Sequence, residues 1–259
     1  MKHNNELNHF KFSPATWIIP SFLLVVVWFI FFMNQSFHLH LNELGIFPRT
    51  ISGLQGVVFS PFLHSDLNHI LNNSLPLLIL STALIYFYRE VSLKVLAYGV
   101  LLSGILTWII GRDSYHIGAS GLIYVLVSFI FFKGLRTQYY RLMALSMAVV
   151  LLYGGMIWYV FPEVDYTISW EGHLAGLLTG FVFAIRFKTP DYVKDIQYDW
   201  EKPDFDPSAD PFMKRFDEDG NFVNPPKPEE EEGQQQQIPP INYVYIYKEE
   251  NAGSEKDSD

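Results

Sequence analysis

The stretch Gly118-Ala119-Ser120-Gly121-Leu122-Ile123-Tyr124 decides the reading of the fold: small residues carrying one hydroxyl lead directly into apolar sequence that continues to residue 132. A second apolar stretch, residues 170–187, opens on Glu171-Gly172-His173-Leu174-Ala175-Gly176 and sets an imidazole among small neighbours. Working outward, the span that takes in the first stretch covers residues 117–132, and residues 15–33, 67–88, 91–110 and 139–161 are also apolar and long. Each is near the roughly 20 residues that cross a hydrocarbon core of about 30 Å at about 1.5 Å per residue. Backbone polar groups in lipid must be satisfied within the segment, so these six stretches are expected to be helices.

Charge divides the 259 residues unevenly. Residues 1–190 hold 11 Lys and Arg against 8 Asp and Glu, whereas residues 191–259 hold 7 against 19. The expected organisation is a short N-terminus (1–14), a six-span body (15–188) and an acidic, proline-rich tail (189–259). The absence of cysteine excludes disulfides, thiolate metal sites and a cysteine nucleophile. The N-terminal apolar stretch, residues 15–33, is too long for a signal-peptide core and is read as an uncleaved first span. Residues 54–63 are apolar but too short to span, and are expected to lie at the interface or fold partly back into the membrane. From residue 191 onward the tail has eight prolines, a glutamate run and a glutamine run, and is expected to be mostly disordered. Its residues 241–247 alternate and are β-prone, a feature suited to a soluble cytoplasmic partner, although a run with no role is the plainer reading. Nothing in the chain suggests nucleic-acid binding.

Ten Lys and Arg side chains, among them Arg89, Lys133 and Arg186, fall on one side of the spans, and only Arg49 and Arg112 on the other. The positive-inside bias therefore places both termini in the cytoplasm, with the second, fourth and sixth spans running inward from outside. Ser120 lies 13 residues before Lys133, and His173 lies 13 residues before Arg186. Both are thus about 20 Å from the inner boundary and about 10 Å below the outer surface. Asn73 and His69 sit higher on the second span, along the path down to Ser120.

Polar side chains at such depth face the bundle interior, a wet cavity or one another. His173, Gly176 and Gly180 share a helix face, the two glycines forming a small-xxx-small pair for close approach, and Ser120 and Tyr124 share another. If these faces meet, His173 can take the proton of the Ser120 hydroxyl, a weak nucleophile without a base. The Ser120 backbone N–H at a helix start, with His69 and Asn73 one turn apart, supplies donors for an oxyanion. Glu171 is two residues from His173, so the two cannot share a face and no triad acid is expected. His64 is expected to be structural, and Ser114, Tyr115 and His116 to belong to a solvated loop.

Taken together, Gly118-Ala119-Ser120-Gly121, His173 followed by Gly176 and Gly180, and His64, His69 and Asn73 resemble the rhomboid intramembrane serine proteases over about residues 13–188. The resemblance implies an all-α membrane protein, a six-transmembrane-helix bundle with a disordered cytoplasmic C-terminal tail. It implies that Ser120 and His173 cleave single-span or multi-span membrane proteins, that His69, Asn73 and Gly118 serve the oxyanion or position substrate, and that Tyr124 stacks on His173. Gly121, Gly176 and Gly180 would support the dyad by packing. The fifth span and the loop 162–169 would act as lateral gate and cap. A bacterial inner membrane is the implied location, and neither cofactor nor metal is needed. The chain departs from many rhomboids in its first loop, where Phe47-Pro48-Arg49 stands in place of a Trp-Arg pair. Two other functions compete: a non-proteolytic rhomboid relative that binds membrane proteins, which would be expected to lack Ser120 or His173, and a transporter, which would show inverted repeats or a mid-span charge.

Overall fold

The computed structural model describes residues 10, 12–188, 198, 200, 202, 204–217 and 219–223. Two compact units divide the chain, residues 1–195 and 196–259. In the first, α1 (Ala15–Phe37) is followed by a short, half-buried turn of helix, α2 (Gly56–Phe59), and then by α3 (Leu67–Phe87), α4 (Arg89–Ile110), α5 (Ser120–Thr137), α6 (Tyr140–Tyr153) and α7 (Trp170–Arg186). Helices α1, α3, α4 and α5, and α6 with its continuation to Val160, are long and apolar enough to cross a membrane. The sixth expected span, α7, has 17 residues, about 26 Å of helix, at the short end of what a bilayer requires.

Helix α5 is the centre of the bundle, with 56% of its apolar window buried against 17% for α1 and for α6 with its continuation. It packs most extensively on α7, and also on α6, α4 and α3. Lipid is as apolar as leucine, so close packing rather than exclusion of water holds membrane helices together. The α5–α7 contact illustrates this. A Cβ on Gly176 would come 2.2 Å from the Gly121 carbonyl oxygen, and one on Gly180 would come 2.4 Å from that of Val125. Only hydrogen at those two positions lets the backbones approach this closely. A Cβ on Gly121 would meet Gly172 O at an ordinary 3.5 Å, so the contribution of Gly121 to this contact is its carbonyl.

Several boundaries differ from the sequence reading for identifiable reasons. The first helix runs on to Phe37 through polar Asn34, Gln35 and Ser36, ending where His38 turns left-handed (φ 49°) and its N–H caps Asn34 O. The fourth span begins at Ser120, not 117: an antiparallel bridge between Ile46 and His116 holds the preceding chain extended, and Gly118 takes φ +109°. The fifth loses its α-helical pitch at Gly154 and continues to Val160 as 3-10 helix. Lys133 is not a wetted boundary residue but 5% exposed, and its ammonium donates to Ala184 O and Phe187 O at the end of α7. A long stem lets a lysine bury its length and cap last-turn carbonyls with its charge. Residues 52–62 fold back against the bundle as 3-10, α and 3-10 turns, with α2 packed on α4.

In the second unit, the described residues form two 3-10 turns, Pro207–Ala209 and Met213–Arg215, and a bridge between Phe216 and Phe222. The chain between the bridged residues turns around Asp217, whose carboxylate accepts from the N–H groups of Asp219 and Asn221. Residues 241–247 lie outside the described residues.

Candidate active site

The start of α5 places the Ser120 hydroxyl, and the first turn of α7 places the imidazole. Ser169 caps α7 by accepting from Gly172 N–H at 3.2 Å, which fixes where the helix begins and hence which way His173 faces. His173 Nε2 lies 3.0 Å from Ser120 Oγ. Its other nitrogen, Nδ1, lies 3.0 Å from the carbonyl of Tyr159. A carbonyl only accepts, so Nδ1 carries the proton and Nε2 presents its lone pair to the serine hydroxyl. Tyr124 lies flat against the ring, centroids 4.3 Å apart and planes 15° apart, and its hydroxyl donates to Met156 O at 2.5 Å. Both acceptors, Tyr159 O and Met156 O, belong to the 3-10 segment that replaces the end of the fifth helix.

His69 and Asn73 line the same cavity as Ser120 and His173, a space of about 940 Å³. His69 Nδ1 pairs with Ser65 Oγ at 3.1 Å, and the His69 N–H is held by the Asp66 cap of α3. The Asn73 amide pairs with His64 Nε2 at 3.1 Å. His64 is 1% exposed, and burial, helped by His69 nearby, holds its pKa down to about 3. It is therefore a neutral acceptor that orients Asn73, and its Nε2 lies 3.5 Å from the Ala119 N–H just before Ser120. Gly118 supplies room: a Cβ there would fall 2.5 Å from His69 Nε2 and 3.5 Å from Asn73 Nδ2.

The loop before α5 corrects one expectation. His116 is not solvated but 4% exposed, and burial lowers its pKa. Its ring bridges Ser169 Oγ at 2.6 Å and Arg112 O at 3.0 Å, because the bridge with Ile46 pulls the loop inward. Tyr115 is half exposed, and both it and Ser114 line the cavity. Glu171 stays apart from His173, as its two-residue offset requires. Its buried carboxylate accepts from the Arg112 N–H at 3.1 Å, while the Arg112 guanidinium donates to Tyr166 O and Ile168 O. Arg49 pairs with Asp113 and donates to Gly111 O at 2.6 Å, tying the first loop to the end of α4. Among the described residues there is no cluster of His, Asp and Glu able to hold a metal ion.

This arrangement can move a proton from a hydroxyl to a neutral imidazole inside a shared cavity. Comparison with known proteins then places the chain. Residues 52–189 match the Rhomboid domain family. The chain belongs to the rhomboid family. Uncharacterized proteins of Mycobacterium tuberculosis and Mycobacterium leprae are similar to this rhomboid. The first is 32% identical over 155 residues (57% of this chain, 65% of the relative), and the second 28% over 176 (65% and 70%). A protein of Acanthamoeba polyphaga mimivirus named "Putative rhomboid protein" is 28% identical over 150 residues (56% and 81%). The match thus spans slightly less than two thirds of the Mycobacterium tuberculosis relative's length. Family and apolar helices together make this rhomboid an integral, multi-pass membrane protein.

Proposed function

We propose that this rhomboid is an intramembrane serine endopeptidase acting through a Ser120–His173 dyad on transmembrane substrates. The observation that carries the reading is the double engagement of His173, with Nδ1 donating to Tyr159 O and Nε2 facing Ser120 Oγ. As Oγ attacks a substrate carbonyl, its proton passes to Nε2; the imidazolium then returns that proton to the leaving amine, and water releases the acyl group in the second half. The negative oxygen of the tetrahedral intermediate has three candidate donors: the Ser120 N–H in the first turn of α5, the Asn73 amide and His69. Peptide bonds of an intact helix are hidden, so substrates are cut where Gly, Pro or polar residues loosen the span. With both termini cytoplasmic, the cut falls in the outer part of the substrate's span. The test is purified chain in proteoliposomes with a single-span substrate and mass analysis of the fragments. Products mapping to the outer part of that span are expected, and cleavage in the cytoplasmic third would contradict the orientation.

The oxyanion assignment makes its own forecast. Asn73→Ala and His69→Ala should lower kcat by about one to three orders of magnitude without abolishing turnover. A rise in KM at unchanged kcat would reassign both residues to substrate positioning.

The acidic tail should be dispensable for the chemistry, since every residue of the proposed site lies between His64 and His173. Chain truncated after Lys188 is expected to cleave the same substrate within a few-fold of the full-length rate, about 1 kcal/mol or less in barrier. A loss comparable to that of Ser120→Ala, in truncated protein shown to be folded, would assign the tail a role in the bundle.

A further inference from the structure

Asn72 immediately precedes the oxyanion candidate Asn73 on α3 but points about 100° away from it. Asn73 is 7% exposed and occupied by His64, whereas Asn72 is exposed and sits beside Leu71 and Leu75, which are 49% and 61% exposed on the lipid-facing side. Among the described residues the Asn72 amide makes no hydrogen bond. The backbone adds a second polar group at the same point. Pro76, four residues on inside α3, has no N–H to give the Asn72 carbonyl its helical partner. An amide without a partner and a carbonyl deprived of its i+4 donor are costly within a bilayer and are tolerated where they face a cavity or a partner that satisfies them. Both residues line the cavity that holds Ser120 and His173, which Tyr153 and Met156, on α6 and its continuation, line as well.

We infer that Asn72, with the carbonyl freed by Pro76, is a specificity-determining position that hydrogen-bonds the locally unwound part of a substrate span as it enters between α3 and α6. The inference rests on the proposed protease activity. An unwound segment presents peptide N–H and C=O groups that lipid cannot satisfy. The Asn72 carbonyl takes an N–H, while the side-chain amide both donates and accepts. A straight apolar helix keeps its own backbone bonded and gains nothing there. The site therefore favours spans loosened by polar residues or glycine over all-leucine spans, adding to the lower intrinsic cost of unwinding them.

The experiment uses the full chain in proteoliposomes with two single-span substrates that differ only in an Asn-Gly or a Leu-Leu pair in the outer part of the span. The ratio of their kcat/KM values is the readout. Asn72→Leu should lower that ratio about tenfold, through slower cleavage of the Asn-Gly substrate, with Ser120 labelled by a fluorophosphonate as fast as in the parent. Asn72→Gln, which keeps an amide, should largely keep the ratio. Pro76→Ala, which restores the missing N–H within a regular helix, should lower the ratio in the same direction. A ratio unchanged in both Asn72→Leu and Pro76→Ala would overturn the inference while leaving the protease reading intact. A parent chain that cleaves neither substrate and takes no label would refute the protease reading and this inference with it.

Discussion

Ser120→Ala and His173→Ala are each expected to reduce cleavage of a single-span substrate by at least about a thousandfold, to the background rate, in protein that remains folded and inserted. Neither change touches Gly176 or Gly180, where the backbones of α5 and α7 approach most closely, although His173→Ala also removes the ring stacked on Tyr124. The hydroxyl and the imidazole form one proton-transfer unit at 3.0 Å, so the double variant should be no slower than either single one. The kinetics of the three variants, with circular dichroism as the check on folding, test this. Retained turnover in Ser120→Ala would remove the nucleophile from the account.

Gly176→Ala should have the next largest effect, although it touches no reacting group. Its new Cβ would lie 2.2 Å from the Gly121 carbonyl and 2.8 Å from Tyr124 Cβ, and the closer of these is backbone that cannot rotate away. Ordinary contact requires more than a further 1 Å, so α7 must shift away from α5 at the level of the dyad. Misplacing reacting groups by about 1 Å costs on the order of a hundredfold in rate, and overpacking costs about 1–3 kcal/mol of stability. We expect kcat to fall about a hundredfold together with a lower thermal midpoint. Gly155→Ala is the control: nothing lies within 4 Å of its Cβ, and its rate should stay within about twofold of the parent. Equal rates for Gly176→Ala and the parent would mean that the α5–α7 spacing does not set the dyad geometry.

What could be read from the sequence was whatever has a period or a composition. The spans follow from apolar length, and the shared face of His173, Gly176 and Gly180 follows from helical spacing. The facing contacts with Ser120 and Tyr124 then follow once two such faces are brought together. What could not be read was whatever depends on backbone atoms or distant partners. The Tyr159 carbonyl that sets the His173 tautomer belongs to a 3-10 turn whose sole local hint is Gly154-Gly155, and a carbonyl has no residue signature. His116 sits among Arg112, Asp113 and Ser114, which read as loop, yet a bridge to Ile46, 70 positions earlier, buries it. Lys133 reads as a charge at the water boundary because composition does not reveal that its stem can run along α7 to the last carbonyls. For Glu171, helical spacing ruled out an interaction with His173, but its partner Arg112 is 59 positions away.

The central claim is that His173 activates Ser120, and covalent labelling tests it most directly. Purified full-length chain treated with a fluorophosphonate should carry one adduct, mapped by tandem mass spectrometry to Ser120. His173→Ala should slow that labelling by about a thousandfold or more, since the hydroxyl would have no base. Labelling of Ser120 at the same rate in His173→Ala, or an adduct confined to another serine, would contradict the account.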